Sequence, residues 1–575
     1  MNTTKTKSTL LSSLTRLVVL MALLMSSLSL MAHDFEVDGF YYNKTGAHEV
    51  AVTYNGVSQY NNDYWGKIVI PSTVTYNDTT YTVTSIGRSA FRRCGIESVS
   101  IPNTVTSIGD GGFRECKMLE KIVIPNSVTS IGKSAFKGCQ ILISVTLPDS
   151  LSSIASYTFD DCVILPEITI PNTVTAIGEK AFAFCRVLDD VIIPESVTWI
   201  GDRAFSNCYD LTEITIPQSV TRIGEYAFEK CEHLKQVTIL GPLTDLKSHM
   251  FVDCTRLKKV SLPESITWIH DNVFRNCGKL ATVNIPCAVN RLGASSFSGC
   301  SSLKSVTLPG TVTAIEDFVF NGCSSLEDVT LPESVTSFGE GIFWGCSSLT
   351  AITLPNSIKY IPWRTFYDCS NLTDVTLPEH VISIGGGSFS LCVSLTELDI
   401  PETVATVLYD AFYGCSNLKR ITIPDSVTYV DCNVFLNCTS LESVTIGSAV
   451  ADIWDMAFKG CTSLQEVICK ATTPPTIHYS SSFSNYTTPV LRVPAASIEA
   501  YETTDYWSRF TTILPIGDFS TGDVNYDGEV NISDANAIVD AILVGKQRSR
   551  YDMNDDQEVN IADINVVINN ILKTK

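Results

Sequence analysis

Residues 326–346 read LEDVTLPESVTSFGEGIFWGC, and this stretch determines the fold because near-copies of it fill most of the chain. Val329 and Leu331 alternate with Thr330, which is the period of a short strand that buries one of its faces. Pro332 has no backbone donor and therefore ends the strand. The stretch predicts a short strand that is hydrogen-bonded to equivalent strands on either side.

The second half of the stretch predicts how the chain returns to the start of the next strand. Val335 and Phe338 are expected to point back inside, and Gly339 lets the chain turn. Phe343 and Cys346 are then expected to close the far wall of the repeat. Each copy therefore has an apolar interior on two sides, which it cannot bury without its neighbours.

The Phe-x-x-Cys pair that ends the stretch occurs seventeen times, from Phe91 to Phe458. The first interval is 22 residues and every later interval is 23 residues. Self-similarity at this period is typical of leucine-rich solenoids. The sequence thus predicts a repeat solenoid, a right-handed leucine-rich-repeat array of short parallel β-strands.

The repeat closely resembles that of the BspA-like (Treponema pallidum-type) leucine-rich-repeat family of bacterial surface proteins, over about residues 85–469. The resemblance implies a secreted or surface protein with a role in adhesion. The flanks, residues 33–84 and 470–517, resemble the N-terminal and C-terminal caps of this family. Such caps cover the apolar cross-sections at the two ends of a solenoid.

Residues 1–32 have the pattern of a secretory signal peptide. Lys5, Lys7 and Arg16 precede an apolar stretch at 17–24, and small residues lead to Ala32. A membrane anchor is the alternative, although the apolar stretch is short for one. Later in the chain no apolar run is long enough to span a bilayer, so no transmembrane segment is expected after cleavage.

The net charge of −21 and the isoelectric point near 4.8 argue against a nucleic-acid partner, which would require a basic surface. Cysteine usage points to thiols more than to disulfides. Seventeen of the twenty cysteines occupy the same repeat position, where stacking would align their side chains in parallel. We expect a ladder of buried thiols, with the redox state of Cys287, Cys432 and Cys469 left open.

Two columns of outward-facing residues follow from the repeat. The residue at the centre of the strand is Thr in ten repeats, which indicates either β-propensity or a hydroxyl array for a glycan. A second column precedes the next inward residue and is more varied. It contains residue types that are enriched in binding interfaces, and it gives the candidate ligand contacts Trp199, Arg222, Trp268, Arg291, Tyr360 and Tyr429.

After residue 522 the sequence changes to DVNYDGEVNISD, residues 523–534. Oxygen-bearing residues occupy positions 1, 3, 5, 7, 9 and 12 of an EF-hand-type loop, with Gly528 at the sharp turn. The loop recurs 29 residues later at 552–563. The predicted ligands, with position 7 using its carbonyl, are Asp523, Asn525, Asp527, Glu529, Asn531, Asp534, Asp552, Asn554, Asp556, Glu558, Asn560 and Asp563.

An apolar helical pattern follows each loop. Ile538, Ile542 and Leu543 match Val567, Ile571 and Leu572, so the two helices are expected to pack together. The sequence therefore predicts a small α-helical, EF-hand-like domain that binds two calcium ions. Removal of calcium should unfold it, because its carboxylates repel one another.

The duplicated loop and helix resemble a type I dockerin over about residues 518–575. The resemblance implies calcium as the cofactor and a cohesin-like partner, often within polysaccharide-degrading assemblies. Two features depart from the family pattern. Gln557 replaces the glycine at loop position 6, and positions 10 and 11 are Ile532-Ser533 and Ile561-Ala562 rather than a hydroxyl pair.

These features favour a secreted or cell-surface binding and adhesion protein whose repeats contact a protein or glycan ligand. The alternative is a non-catalytic accessory component of an extracellular polysaccharide-degrading complex, recruited by cohesin–dockerin pairing through residues such as Ile532 and Ser533. An enzyme is not expected, because the sequence has no recognisable nucleophile, metalloprotease or phosphate-loop motif.

Overall fold

The computed structural model describes residues 33–55, 64–517, 522–545, 551–554 and 556–573. The predicted signal peptide lies outside these residues. The chain divides into two compact units, Met1–Ile266 and Thr267–Lys575. Within each unit short parallel strands recur about every 23 residues, which confirms the predicted β-solenoid.

The first ladder of strands coincides with the predicted strand of each repeat. Thr215 pairs with Thr238, and Val306 pairs with Val329, so equivalent residues of successive repeats lie side by side. The strands are Trp65–Val69, Gly95–Ser100, Lys121–Val123, Ser144–Thr146, Glu213–Ile216, Gln236–Ile239 and Lys259–Ser261 in the first unit. In the second unit they are Ser305–Thr307, Asp328–Thr330, Ala351–Thr353, Asp374–Thr376, Arg420–Thr422, Ser443–Ile446, Glu466–Cys469, Val490–Val493 and Thr512–Pro515.

A second ladder, which the sequence did not predict as strands, follows the proline-led turn. Its strands are mostly two residues long, so alternation is too brief to read from sequence. In the first unit they are Thr79–Ile86, Ser107–Ile108, Ser130–Ile131, Ser153–Ile154, Ala176–Ile177, Trp199–Ile200, Arg222–Ile223 and Asp245–Leu246. In the second unit they are Trp268–Ile269, Arg291–Leu292, Ala314–Ile315, Ser337–Phe338, Tyr360–Ile361, Ser383–Ile384, Thr406–Val407, Tyr429–Val430, Asp452–Ile453 and Thr476–Ile477.

A stack of phenylalanine rings forms the far wall of the core. Phe182 and Phe205 have ring centroids 5.3 Å apart and lie within 13° of parallel, and both side chains are fully buried. The thiol of Cys208 donates to the carbonyl oxygen of Phe182 at 3.2 Å. The ring stack and the thiol ladder thus run side by side. The seventeen repeat cysteines are buried free thiols, as expected, and Cys287, Cys432 and Cys469, whose redox state the sequence left open, are free thiols as well.

The chain turns through the left-handed region on both sides of each stacked phenylalanine. Around Phe205, for example, Arg203 has φ +53° and Asn207 has φ +61°. Large side chains at these positions cost backbone energy that glycine would not. These two turns place the flanking side chains on the outside of the far wall.

Both ends of the repeat array are covered by non-repeat elements, although the ladders extend into them. At the N-terminal end the strand Phe40–Lys44 pairs antiparallel with both Phe35–Val37 and Glu49–Thr53. The strand Thr73–Tyr76 pairs antiparallel with Thr79–Ile86. Tyr64 packs edge-on against Phe91 with ring centroids 4.9 Å apart.

At the C-terminal end the parallel ladder continues beyond residue 469, through Val490–Val493 to Thr512–Pro515. The last Phe-x-x-Cys pair ends at Cys461, and the sheet continues beyond that residue and beyond residue 469. Helix α1, Ile498–Thr503, and three short 3-10 helices at Ser480–Ser482, Ala495–Ser497 and Trp507–Arg509 complete this end. Phe483 continues the ring stack 4.8 Å from Phe458.

The C-terminal module contains two helices, α2 at Ile532–Leu543 and α3 at Ile561–Lys573, each preceded by one of the predicted loops. Its small core consists of Val524, Ala535, Ile538, Ala541, Tyr551, Val559 and Val567, with Ile542 and Ile571 packed against it. The prediction that the helices pack together is correct, but Leu543 and Leu572 are 76% and 66% exposed. They were wrongly assigned to the helix contact, because they face away from Ile538 and Val567.

Candidate functional site

The first acidic loop is folded around its own carboxylates. Asp523 accepts hydrogen bonds from the backbone N–H groups of Asp527 at 3.1 Å and Gly528 at 2.9 Å. Asp534, eleven residues later, accepts from the N–H groups of Val524 at 2.8 Å and Asn531 at 2.9 Å. Position 12 is thereby tied to the beginning of the loop, as a closed cation-binding loop requires.

The second loop repeats this network residue by residue. Asp552 accepts from the N–H groups of Asp556 at 3.1 Å and Gln557 at 2.7 Å. Asp563 accepts from the N–H groups of Met553 at 2.6 Å and Asn560 at 2.8 Å. Two loops with different neighbouring residues thus reach the same geometry.

The turn at position 6 is left-handed in both loops. Gly528 has φ +90°, and Gln557 has φ +69°. Glycine adopts this conformation without cost, whereas a side chain at Gln557 makes it strained. The second loop therefore forms the expected turn with a residue that disfavours it.

The asparagine at loop position 9 belongs to the loop and also caps the helix that follows it. The side chain of Asn531 accepts from the N–H of Ser533 at 2.8 Å and caps α2. Asn560 accepts from the N–H of Ala562 at 2.8 Å in the same way. Position 9 thus holds the start of each helix against its loop, so loop geometry and helix formation are coupled.

The electrostatics of the loops fit a divalent cation. Asp523 is 3% exposed, and Asp534 and Asp563 are fully buried. Burial raises the pKa of Asp523, and the nearby Asp534 carboxylate adds to the rise, while the Gly528 N–H opposes it. Within the described ranges, no lysine or arginine forms a salt bridge with these carboxylates.

The donor set also fits. Each loop offers three carboxylates, two asparagine oxygens and a main-chain carbonyl, which are the hard oxygen ligands that calcium prefers. In the part of the chain that the structure describes, no three acidic, histidine or cysteine side chains gather closely enough to hold a metal alone. Asparagine and main-chain oxygens would have to complete each site.

Both helices leave an apolar stripe uncovered, and the two stripes are equivalent in sequence. The exposed side chains of α2 are Ile532 (64%), Val539 (38%) and Leu543. Those of α3, each 29 residues later, are Ile561 (72%), Ile568 (36%) and Leu572. Ser533, the predicted contact at loop position 11, directly follows Ile532 and is also exposed.

The structure places the predicted ligand contacts of the repeats on the second ladder. Trp199 lies beside Arg222 in the first unit, and Trp268 lies beside Arg291 in the second. Trp199, Arg222 and Arg291 are exposed, but Trp268 is half-buried, because Arg291 covers its ring at 4.9 Å and His270 stacks on it.

The remaining two candidates of this column are separate from these pairs. Tyr360 is 58% exposed and lies beside Ser383. Tyr429 is half-buried and lies beside Asp452. The column is therefore a set of small contact points and not one continuous aromatic surface.

Sequence reasoning missed a cluster of aromatic residues beside the ring stack in the second unit. Trp344, Trp363 and Tyr367 surround the guanidinium of Arg364, whose central carbon lies 4.2–4.8 Å from the three ring centroids. Trp344 and Tyr367 directly follow a repeat phenylalanine, whereas Trp363 and Arg364 lie three and two residues before Phe366. Gly386 is the available sequence signal, because each of the other sixteen repeats has a larger residue at that position.

The fold and the sites together define a leucine-rich-repeat binding scaffold with a small acidic C-terminal module. The protein family described as the BspA type leucine rich repeat region matches the chain over residues 84–211, 185–304, 290–419 and 382–497. These overlapping matches together cover well over half of the chain. The protein therefore belongs to the BspA-type leucine-rich-repeat family. The dockerin type I domain matches residues 521–572.

Solved structures are similar to the repeat region. A leucine-rich repeat protein from Bacteroides ovatus is 28% identical with a TM-score of 0.52, over 80% of this chain and all of that chain. A leucine rich cell surface protein from Faecalibacterium prausnitzii is 28% identical with a TM-score of 0.38, over 71% and 93%. No curated protein matches the chain.

The two families define the general character of the protein. Leucine-rich repeats present surfaces to protein ligands, and dockerin type I domains bind calcium and a cohesin-type protein partner. Proteins with these regions are extracellular or associated with the cell surface. Of the helices within the described ranges, none combines the length and apolarity needed to cross a bilayer.

Proposed function

We propose that this protein is a secreted or cell-surface binding protein that adheres to a ligand through its repeats and docks to a second protein through a calcium-stabilised C-terminal module. The observation that carries the proposal is the duplication within that module. Each half has the same hydrogen-bond network around a buried carboxylate and an equivalent exposed apolar stripe.

Calcium would bind in the two acidic loops. The side chains of positions 1, 3, 5, 9 and 12 and the carbonyl oxygen of position 7 would hold one ion in each loop. The ion would offset the repulsion between Asp523 and Asp534, which the loop otherwise balances only with backbone N–H groups. The proposal is therefore two ions per chain, and they act on stability and not on catalysis.

The apolar stripes would be the docking surface. Three large apolar side chains exposed on each of two short helices are unusual in a module whose core, within the described residues, has seven buried apolar side chains. Burial of such a stripe against a partner would contribute a favourable free energy of binding, about 25 cal/mol per Å² of buried apolar area. Ile532 and Ser533 would lie at the edge of this contact.

The repeats would hold the adhesion ligand, a protein or a glycan, on the second ladder. Exposed Trp199 with Arg222, and Arg291 with Trp268, combine an aromatic ring with a charge that has access to solvent. Tyrosine, tryptophan and arginine provide much of the binding energy in known interfaces. Tyr360 and Tyr429 would extend this surface in the second unit.

A second candidate function is an accessory role in an extracellular polysaccharide-degrading complex. It is favoured by the dockerin match over residues 521–572, together with the exposed stripe beside loop positions 10 and 11. In that case the module would recruit the repeats to a cohesin-bearing scaffold. The chain itself would contribute binding and not chemistry.

The test is binding of the full chain to immobilised type I cohesins, measured by surface plasmon resonance in calcium and in chelator. Leu543→Asp together with Leu572→Asp should abolish a calcium-dependent interaction. Val544→Asp is the matched control, because Val544 is 67% exposed but its counterpart in the duplicated half is Lys573. Binding that persists in chelator or in the double variant would contradict the docking role.

A further inference from the structure

Two adjoining clefts lie on the outer side of the ring stack in the second unit, and they share Trp363 and Tyr409. We call them the aromatic cleft. One, of about 160 Å³, is lined by Trp363, Arg364, Tyr367, Gly387, Ser390, Tyr409, Asp410 and Tyr413. The other, of about 390 Å³, is lined by Glu340, Trp363, Gly385, Gly386, Leu408 and Tyr409.

Missing side chains in one repeat create the cleft. The positions three and two residues before the stacked phenylalanine are Trp363 and Arg364 in one repeat, and Tyr409 and Asp410 two repeats later. In the repeat between them both positions are glycine. Because successive repeats are about 4.8 Å apart, this leaves a gap between two aromatic walls.

The ring of Tyr409 leans into this gap. A Cβ atom added at Gly386 would lie 2.8 Å from the Cζ of Tyr409, so the glycine is needed for the ring to take this place. Tyr409 is nevertheless 47% exposed, and one face of its ring remains open to the cleft. Gly387, with φ +62°, forms the floor beside it.

Three charged side chains line the cleft, Arg364, Asp410 and Glu340, and Arg364 forms a salt bridge with neither of the two acidic residues in the part of the chain that the structure describes. Arg364 is held by its three surrounding rings, of which Trp363 is nearest at 4.2 Å. Within the described residues, no salt bridge joins Arg364 or Asp410 to an oppositely charged side chain. The cleft thus offers a donor that is held in place, Arg364, and two carboxylate acceptors, Asp410 and Glu340, together with the tyrosines Tyr367, Tyr409 and Tyr413.

From this arrangement we propose that the aromatic cleft binds a neutral oligosaccharide. A sugar ring has one face of C–H groups, which packs on an aromatic ring, and an edge of hydroxyls that both donate and accept hydrogen bonds. Its apolar face would lie on Tyr409 or Trp363. Its hydroxyls would accept from Arg364 and donate to Asp410, which gives both charges a partner.

Other ligand classes fit less well. An anionic ligand that pairs with Arg364 would bring its charge towards the carboxylates of Asp410 and Glu340, and a cationic ligand would meet Arg364. An apolar peptide would cover these charges without giving any of them a hydrogen bond, which is costly. The cleft is lined by residues that follow the second-ladder strands, and its lining includes none of the candidate contacts of the column and no residue of the acidic loops, so it goes beyond the proposed function.

The test is binding of the full chain to an array of neutral and charged glycans, followed by calorimetry with the neutral hexasaccharide that binds best. Tyr409→Ala should weaken binding by at least about tenfold, as loss of an aromatic anchor does. Gly386→Ala should weaken it to a similar extent, because the new methyl group displaces the Tyr409 ring without a backbone penalty.

Tyr479→Ala is the matched control, because Tyr479 is 49% exposed in the same unit but lies outside the cleft, and it should bind as the unaltered protein does. Melting temperatures of all three variants show whether they are folded. Failure to bind any neutral glycan, binding to charged glycans or peptides only, or equal binding by Tyr409→Ala would overturn the proposal. Chelator should leave this binding unchanged, which separates it from the calcium and docking proposals.

Discussion

The residue at position 6 distinguishes the two acidic loops, because its left-handed backbone conformation is unfavourable in the second loop only. Gln557 occupies the left-handed turn that Gly528 occupies in the first loop. Gln557→Gly should stabilise the second loop by about 1 kcal/mol, because glycine adopts this conformation without steric cost. The gain should be visible as slower amide exchange in α3 in the presence of calcium.

The reverse substitution is the control for this prediction. Gly528→Gln should destabilise α2 by a similar amount, since a Cβ atom at Gly528 meets no neighbour and only the backbone is affected. If both substitutions left exchange in α2 and α3 unchanged, backbone strain at position 6 would not matter for the module.

The thiol ladder makes stability depend on pH in a definite direction. Burial raises the pKa of the Cys323 thiol from 9.0 to about 12, and Cys139 and Cys415 behave likewise. A thiol with a higher pKa in the folded chain stabilises the fold fully below pH 9. That stabilisation is lost as the pH rises towards 12, because the unfolded chain ionises first.

We therefore expect the melting temperature of the full chain to fall progressively between pH 9 and pH 12. At pH 8 the exposed Cys287 should react with a thiol reagent, whereas the buried ladder should react only after unfolding. Cys287→Ser should remove the fast reaction. Rapid modification of many thiols in the folded protein would show that the ladder is not buried.

At the scale of the element, the ring stack is the feature that sets the cost of disrupting a repeat. Phe205 is fully buried between Phe182 and Phe228, with centroids 5.3 and 5.5 Å away. Phe205→Ala should reduce the free energy of unfolding by about 3–5 kcal/mol, because it leaves a cavity between two rungs. Urea denaturation followed by circular dichroism measures this change.

Phe184 provides a comparison within the preceding repeat. Its side chain is 37% exposed and lies outside the stack, so Phe184→Ala should cost less than about 1 kcal/mol. Equal effects of the two substitutions would mean that stability does not come from the stacked column.

The elements were predictable to different degrees for physical reasons. The first ladder follows from alternation around a strand that a proline ends, and the structure confirms it. The second ladder escaped prediction because two residues, such as Ser337–Phe338, are too few to show a period. Leu543 and Leu572 were misplaced because apolar residues in a helix were assumed to face its neighbour, whereas these two face solvent.

At the scale of the whole molecule, the acidic loops could be predicted and the aromatic cleft could not. The loops are local, so spacing alone fixes which oxygens come together. The cleft depends on residues from different repeats, and on glycines whose effect is to leave space for Tyr409. The sequence of a repeat shows which side chains that repeat contains, but it does not directly show the spaces that small residues leave between neighbouring repeats.

The repeats, which carry the ligand surfaces, and the C-terminal module, which carries the docking surface, have different sources of stability. The repeats are stabilised by stacked apolar cores. The C-terminal module has a small core and buried carboxylates, so we expect its stability to depend on neutralisation of those charges. We therefore predict that calcium controls docking, while ligand binding by the repeats is independent of calcium.

The most direct measurement is hydrogen–deuterium exchange of the full chain in calcium and in chelator. We predict that chelator abolishes protection in α2 and α3 and leaves the strands of the repeats unchanged. Asp534→Ala with Asp563→Ala should show the same loss even in calcium. Equal protection of α2 and α3 under both conditions would contradict the central claim that calcium maintains the docking module.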